Sequence, residues 1–136
     1  MNVGAEIPEF ALPLTLQRLV MEAGANRDFF PVHHDREITR ATGAPDPYAN
    51  TMLIQAVLEA TLREWMGLSG RLRRLSFSMR AFATAGGILS GHGRVTALRA
   101  EPGGQVVDLD VWTASDGTQT AVGTATVWVP SQGAQP

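Results

Sequence analysis

The chain has 136 residues, a formal net charge of −2 at pH 7 and no cysteine. This length fits one domain with one core, and the lack of thiols excludes disulfides, thiolate nucleophiles and cysteine metal sites. All eleven basic residues are arginine, so a lysine Schiff base and a P-loop lysine are excluded as well.

The distribution of charged and apolar residues limits the partners and the location of the protein. Acidic and basic residues are spread along the chain, so neither nucleic acid nor an anionic membrane is expected as a partner. No apolar run reaches the roughly 18–20 residues that span a bilayer, and residues 1–9 lack the features of a signal peptide. We therefore expect a cytoplasmic protein. The three histidines match no metal-ligand spacing, so no metal site is predicted: His33, His34 and His92.

The first part of the chain predicts a short strand followed by a helix. Residues 10–14 are typical of a strand, and Pro13 suits the edge of a sheet. Thr15 is placed to cap a helix that Gly24 ends. Residues 25–34 are then a loop.

Two further helices are predicted before the chain turns to strands. Asp35 is placed to cap a short helix through Thr42, and a longer helix is predicted over residues 51–66. Apolar side chains cover most of this longer helix and leave only a narrow polar stripe of Gln55, Glu59 and Arg63. We expect a helix this apolar to be nearly surrounded by protein.

The second half of the chain predicts an antiparallel meander. Alternating apolar residues mark four strands, at about 71–81, 87–99, 105–114 and 119–129. Hairpin turns are predicted at residues 101–104 and 115–117. One buried helix followed by such a meander predicts an α+β hot-dog domain over residues 1–130, in which the sheet curls around the helix, with a flexible tail at 131–136. Such a sheet closes poorly at one edge in a chain this small, so a two-fold partner is expected.

One loop segment carries the residues with the clearest chemical meaning. Asp28 and His33 lie five residues apart, and Pro31 stiffens the loop between them. A carboxylate and an imidazole that face one cavity can carry out general acid–base chemistry on a single water. Asp28 and His33 are therefore the predicted catalytic pair.

This segment resembles the signature of the MaoC-like (R)-specific enoyl-CoA hydratases. That signature is Asp-x-Asn-Pro-aliphatic-His-x-Asp, and five positions match it: Asp28, Pro31, Val32, His33 and Asp35. Residues 48–52, Tyr-Ala-Asn-Thr-Met, resemble the family segment of two apolar residues, His, Gly and an apolar residue that opens the central helix. The short chain looks most like the small subunits of bacterial hydratases that act on bulky, steroid-derived enoyl-CoA thioesters.

Three departures from the family pattern stand beside these matches. Asn26 and Arg27 replace the usual Ser-Gly before the aspartate, and Phe30 replaces an asparagine that helps to fix the loop. Thr51 replaces the glycine that opens the helix. This last change keeps the backbone N–H but narrows the approach for a substrate.

The resemblance implies an enzyme that adds water across a 2-enoyl thioester, or that runs the reverse dehydration. Asp28 and His33 are then the acid–base pair. The backbone N–H of Thr51, with that of Asn50 second, is the oxyanion donor at the positive end of the central helix. Coenzyme A or an acyl carrier protein enters as part of the substrate, and no further cofactor is implied. The expected partner is a second copy of the chain or a second hot-dog chain.

Several neighbouring polar residues are assigned supporting or structural roles. Asp35 is expected to cap a helix. His34 is expected to point away from His33 if the loop is extended. Both residues are candidates for support of the loop rather than for catalysis. His92 is interpreted as structural or exposed. Three arginines near the start of the first meander strand are interpreted as solvated: Arg71, Arg73 and Arg74.

Two other functions are compatible with the same fold. A hot-dog thioesterase places a carboxylate on the central helix to activate water, and Glu59 and Glu64 are the candidates there. A non-catalytic hot-dog subunit would only complete the acyl pocket of a partner. Phe30 and Thr51 are compatible with that role, whereas retention of the acid–base pair argues against it.

Overall fold

The computed structural model describes residues 1–131, which form one five-stranded antiparallel sheet and a long helix packed on it. The flexible tail expected at residues 131–136 lies, from residue 132 onward, outside the described residues. The elements in chain order are β1 Phe10–Pro13, α1 Leu16–Ala25, a 3₁₀ turn Pro31–His33, α2 Arg36–Ala41, α3 Thr51–Met66, β2 Arg71–Met79, β3 Ile88–Glu101, β4 Gly104–Ser115 and β5 Thr118–Pro130. Within the described part of the chain, no helix is both long and apolar enough to cross a membrane.

The sheet has the strand order β1-β3-β4-β5-β2, and every neighbouring pair is antiparallel. The predicted meander is confirmed, with strand ends that differ from the expected ones by only one or two residues. Asp116 and Gly117 form the tip of the β4–β5 hairpin with φ values of 49° and 80°, the conformation that Asp-Gly favours in two-residue turns. Strands β1 and β2 are the two edges of the sheet. The edge position of β1 agrees with the presence of Pro13 in that strand.

Helix α3 supplies the centre of the core. The side chains that it buries against the sheet are Leu53, Ile54, Val57, Leu58, Thr61, Leu62 and Met66. The opposite side is less enclosed than the apolar pattern suggests, because Met52 is 47% exposed and Ala56 is also exposed. The prediction of a helix nearly surrounded by protein is therefore wrong for this single chain, since nothing in the described residues covers that side.

A glycine allows the helix to approach the sheet closely. Gly91 in β3 is buried beneath α3, and a Cβ atom there would overlap the hydroxyl of Thr61 and lie 3.2 Å from the carbonyl oxygen of Val57. The Thr61 hydroxyl itself donates to that carbonyl at 2.7 Å. Any larger residue at position 91 therefore requires the Thr61 side chain or the helix itself to move.

Helix α1 ends later than Gly24, which corrects the sequence prediction. The helix continues through Ala25, and Arg27 takes the left-handed conformation with φ 56°. The Arg27 N–H donates to Gly24 O at 3.1 Å, and the Asp28 N–H donates to Ala23 O at 2.8 Å. These are the two bonds of a Schellman motif. The end of α1 is thus set by where its last carbonyls find donors, and that closure fixes the backbone of Asp28.

Two glycine substitutions should shift stability in opposite directions. Gly91→Ala is expected to lower the free energy of unfolding by about 1–3 kcal/mol, because the new methyl group overpacks the α3–β3 contact. Gly24→Ala is the matched control, since Gly24 lies on the exposed face of α1 and a Cβ there meets no described atom within 4 Å. It should raise the free energy of unfolding by about 0.5–1 kcal/mol through helix propensity. Urea unfolding followed by circular dichroism measures both. Equal stability of Gly91→Ala and the wild type would show that the contact is looser than described.

Candidate active site

Asp28 and His33 meet at the mouth of one cavity. The Oδ2 atom of Asp28 lies 3.2 Å from Nε2 of His33. Asp28 follows the end of α1, whereas His33 is the last residue of the 3₁₀ turn that Pro31 opens. The His33 side chain is 7% exposed and that of Asp28 is 34% exposed. The imidazole is therefore held inside the protein, and the carboxylate lies where solvent reaches it.

The orientation of the imidazole is fixed by a backbone carbonyl. Nδ1 of His33 lies 2.8 Å from the carbonyl oxygen of Tyr48. Because a carbonyl can only accept, Nδ1 carries the hydrogen of this bond. Nε2 is then the ring nitrogen that exchanges protons with the cavity. The Tyr48 ring packs edge-on against His33 with a centroid distance of 5.4 Å, which restricts the ring further.

The Asp28 carboxylate is held by groups from two parts of the chain. Its Oδ2 atom accepts from Nδ2 of Asn50 at 3.0 Å, and Oδ1 lies 3.4 Å from the N–H of Phe30. The hydrogen bond from Asn50 lowers the pKa of Asp28 most, the Phe30 N–H and the neighbouring His33 lower it further, and partial burial opposes them. Asp28 is therefore ionised at neutral pH and can accept a proton.

The cavity joins this pair to the beginning of α3. It has a volume of about 520 Å³ and is lined by Asp28, His33, Tyr48, Ala49, Asn50, Thr51, Met52, Met79, Arg80, Ala81 and Phe82. Asn50 is the N-cap of α3, and its Oδ1 accepts from the Leu53 N–H at 2.9 Å. Within residues 1–131 the N–H groups of Asn50 and Thr51 have no hydrogen-bond acceptor. A helix start of this kind favours negative charge.

The remaining candidates from the sequence lie outside this cavity. The Asp35 side chain caps α2 by accepting from the Ile38 N–H at 3.0 Å, which confirms the predicted cap, and His34 is exposed. Glu59 accepts from Gln55 within the polar stripe of α3 at 2.7 Å. Glu64 is exposed, and neither glutamate lines the cavity.

His92 belongs to the other side of the sheet, away from α3. Its ring stacks on Trp112 at a centroid distance of 5.3 Å, and its Nε2 lies 2.8 Å from the hydroxyl of Ser90. The interpretation of His92 as a structural residue therefore agrees with its position.

Two contributions to the site escaped the sequence prediction. The first is the side chain of Asn50, for which only a backbone role was considered. The second is the segment after β2, which brings residues 79–82 to the cavity. The capping position of Asn50 before an apolar helix is visible in the sequence. Its bond to Asp28 joins residues 22 apart, and no local pattern reveals such a contact.

Comparison with known proteins identifies a sequence relative that covers most of the chain. No family model matches the chain. The 3-oxo-4,17-pregnadiene-20-carboxyl-CoA hydratase beta subunit of Mycobacterium tuberculosis is 30% identical over 96 residues, which cover 71% of this chain and 74% of that protein.

Solved structures share the fold over nearly the whole chain. The ChsH1-ChsH2 complex from Mycobacterium tuberculosis contains a chain that is 25% identical, with a TM-score of 0.85 over 95% of this chain and 98% of that one. The (R)-hydratase from A. caviae involved in PHA biosynthesis is 21% identical, with a TM-score of 0.85 over 96% of this chain and 98% of that one. At this identity, the similarity to the (R)-hydratase shows the fold alone.

Proposed function

Because the chain belongs to the MaoC-like family of (R)-specific enoyl-CoA hydratases and dehydratases, we propose that it adds water across the double bond of a 2-enoyl thioester and catalyses the reverse dehydration. The observation that carries the proposal is the Asp28–His33 pair, 3.2 Å apart, on the cavity that also holds the start of α3. Hydration needs a base, an acid and a donor to the thioester oxygen, and this cavity has a group for each.

The proton transfers follow from the two side chains. Asp28, whose pKa the bond from Asn50 lowers, takes a proton as the carboxylate from a water whose oxygen forms the new bond to C3. The double-bond electrons move toward the thioester carbonyl, and His33, entering the step protonated on both ring nitrogens with Nδ1–H bonded to the Tyr48 carbonyl, delivers its Nε2 proton to C2. A proton passing from Asp28 to His33 across their 3.2 Å contact restores both groups, so the net change is the addition of one water.

The negative charge that develops on the thioester oxygen needs fixed donors. The N–H of Thr51 is the proposed donor, with that of Asn50 second, because both lack an acceptor within the described chain. Both residues line the cavity, at the positive end of a 16-residue helix. A backbone donor does not depend on the side chain, so the replacement of glycine by Thr51 leaves this role intact.

The proposed substrate carries a bulky apolar acyl group on coenzyme A. Large apolar side chains stand exposed around the cavity and the preceding loop: Phe30 at 60%, Met52 at 47%, Met79 at 37% and Phe82 at 49%. Such a surface fits a wide acyl group better than a short one. The named relative acts on a pregnadiene carboxyl-CoA, which is of this kind. Coenzyme A enters as part of the substrate, and no separate cofactor is proposed.

A second hot-dog chain is proposed to complete the site. In the part of the chain that the structure describes, strand β2 pairs with a neighbouring strand on one side only, and Met79 at its end lines the cavity. Pairing along β2 would extend the sheet and cover the exposed side of α3 around Met52. The ChsH1-ChsH2 neighbour is itself a complex of two chains. The partner is then either a second copy or a different hot-dog chain, and the assembly is proposed to be cytoplasmic.

The two alternatives differ from hydration in a measurable product. A thioesterase is less compatible with the cavity, because Glu59 and Glu64 lie away from it. If the chain is a non-catalytic subunit, any product is formed by the residues of its partner. Incubation of a crotonyl or steroid-type enoyl thioester with the chain, alone and together with a co-expressed hot-dog partner, separates hydration from thioester hydrolysis, and the same assay with Asp28→Asn in this chain shows whether its own residues act. A mass gain of one water indicates hydration, and loss of the acyl group indicates a thioesterase.

Asp28→Asn and His33→Ala should each reduce hydration by about 10²–10⁴-fold, since each removes one partner of the acid–base pair. His34→Ala is the matched control, because His34 is exposed beside the site, and its rate should stay within a few-fold of the wild type. Rates come from loss of enoyl absorbance, and circular dichroism checks the fold of each variant. Near-normal turnover by Asp28→Asn or His33→Ala would remove that residue from the mechanism.

Thr51→Pro should lower kcat by about 10²–10³-fold, the usual effect of removing one oxyanion donor. Proline at the first position of a helix fits the backbone, and the residue before it, Asn50, already has an extended conformation with ψ 171°. The substitution therefore removes the N–H without breaking α3. Thr51→Gly keeps the donor and should retain or improve activity. Equal rates for the proline and glycine variants would place the thioester oxygen elsewhere.

An assembly formed along β2 should be sensitive to charge on that edge. Light scattering is expected to give a mass of at least two chains at micromolar concentration. Ser76→Lys, on β2, should shift the mass toward the monomer because it adds a charge beside the arginines of this strand. Ala11→Lys places the same charge on the other edge, β1, and should leave the assembly unchanged. A stable wild-type monomer, with or without a co-expressed partner, would contradict the proposal.

A further inference from the structure

The side chain of Asn50 joins the catalytic loop to the central helix. It is buried, at 6% exposure. Its Oδ1 accepts from the Leu53 N–H at 2.9 Å, and its Nδ2 donates to Oδ2 of Asp28 at 3.0 Å. Exchanging the two amide atoms would set one donor against the Leu53 N–H and an oxygen against the carboxylate, so both contacts require the same orientation.

This contact leaves the two oxygens of Asp28 in different surroundings. Oδ2 accepts from Asn50 and also faces Nε2 of His33 at 3.2 Å. Among the contacts within residues 1–131, Oδ1 has only the long one of 3.4 Å to the N–H of Phe30. The amide therefore holds one oxygen next to the imidazole and leaves the other available to a water molecule.

The same side chain stands next to the proposed oxyanion donor. Thr51 follows Asn50 directly and begins α3. The Schellman motif at Arg27 fixes the backbone of Asp28 to α1. The carboxylate of Asp28 must also be held in place relative to α3, the helix proposed to bind the thioester oxygen. In the described chain the hydrogen bond from the Asn50 amide to Asp28 provides this connection. A thioester bound across the cavity must contact the Asp28 loop and the start of α3 at the same time.

We propose that Asn50 is a positioning residue, whose side-chain amide holds the Asp28 carboxylate in register with His33 and with the N-terminus of α3. The inference rests on the proposed hydratase function and extends it to a residue outside the acid–base pair. It also explains how the loop keeps its carboxylate oriented although Phe30 offers no side-chain amide: the amide comes from position 50 of another element instead.

Two substitutions separate this role from helix capping. Asn50→Ser preserves a good N-cap but is too short to donate to Asp28. Asn50→Asp preserves both the cap and the shape, but it replaces the donor with a second carboxylate facing Oδ2. Thr15→Ala is the matched control, because Thr15 caps α1 by accepting from the Arg18 N–H at 3.1 Å. That substitution removes a cap without touching Asp28.

The first measurement is the titration of Asp28, followed by ¹³C NMR of its carboxyl carbon and independent of turnover. In the wild type Asp28 should titrate below an ordinary aspartate, because the Asn50 amide is the largest cause of its lowered pKa. The pKa should rise in Asn50→Ser, rise further in Asn50→Asp, and stay at the wild-type value in Thr15→Ala. An unchanged Asp28 titration in Asn50→Ser would overturn the inference.

The second measurement is the pH dependence of hydration. Asn50→Ser should lower kcat by about 10–100-fold with little change in KM, because a misplaced carboxylate affects the reaction more than binding. The acidic limb of kcat/KM should move to higher pH along with the Asp28 titration, since the ionised carboxylate is the active form. Full kcat in Asn50→Ser would also overturn the inference. A wild type that hydrates no thioester would instead contradict the proposed function, while the NMR titration still decides whether Asn50 holds Asp28.

Discussion

The unpaired N–H groups at the start of helix α3 are the constraint on which the site depends. No residue within a helix can accept these first donors, so a buried helix start needs partners from elsewhere. Here the Asn50 side chain satisfies the Leu53 N–H, whereas the N–H of Thr51, a residue that lines the cavity, has no acceptor within residues 1–131. One end of the helix is thus both closed by a cap and left available to a ligand. The same cap orients Asp28, so capping and positioning are properties of one side chain.

The sheet makes this arrangement rigid. Helix α3 lies close to β3 because Gly91 has no side chain to hold it away. Its buried face fills the core along most of its length, so the first turn cannot shift without disturbing the packing behind it. Strand β2 follows α3 directly and returns to the cavity at Met79. The helix start, the loop with Asp28 and the end of β2 therefore meet because the chain folds around one helix.

Local patterns were sufficient to predict much of this structure. The caps Thr15 and Asp35, the Asp116-Gly117 turn and the alternation of the last four strands each depend on neighbours in sequence, and each is confirmed. The five-residue spacing of Asp28 and His33 was also sufficient to place them together, because a proline-stiffened turn keeps their separation short. The catalytic roles of these two residues stay a prediction that hydration assays must test.

Features that depend on distant contacts were not predictable in this way. Gly24 was expected to end α1, but the helix end is decided by bonds to the Arg27 and Asp28 N–H groups, and glycine only permits an ending. Met52 falls in the apolar pattern of α3 as a buried residue would, but its exposure depends on whether another element covers that side of the helix.

The departures from the family signature become intelligible through the same physical logic. Phe30 removes an amide from the loop, yet the carboxylate of Asp28 still receives an amide donor, from Asn50. Thr51 adds a side chain where the family has glycine, yet the group proposed to bind the thioester oxygen is its backbone N–H, and its hydroxyl is directed to the sulfur of Met79 at 3.3 Å. In both cases the altered side chain leaves in place the group on which the proposed chemistry depends, an amide donor for Asp28 or a backbone N–H at the start of α3.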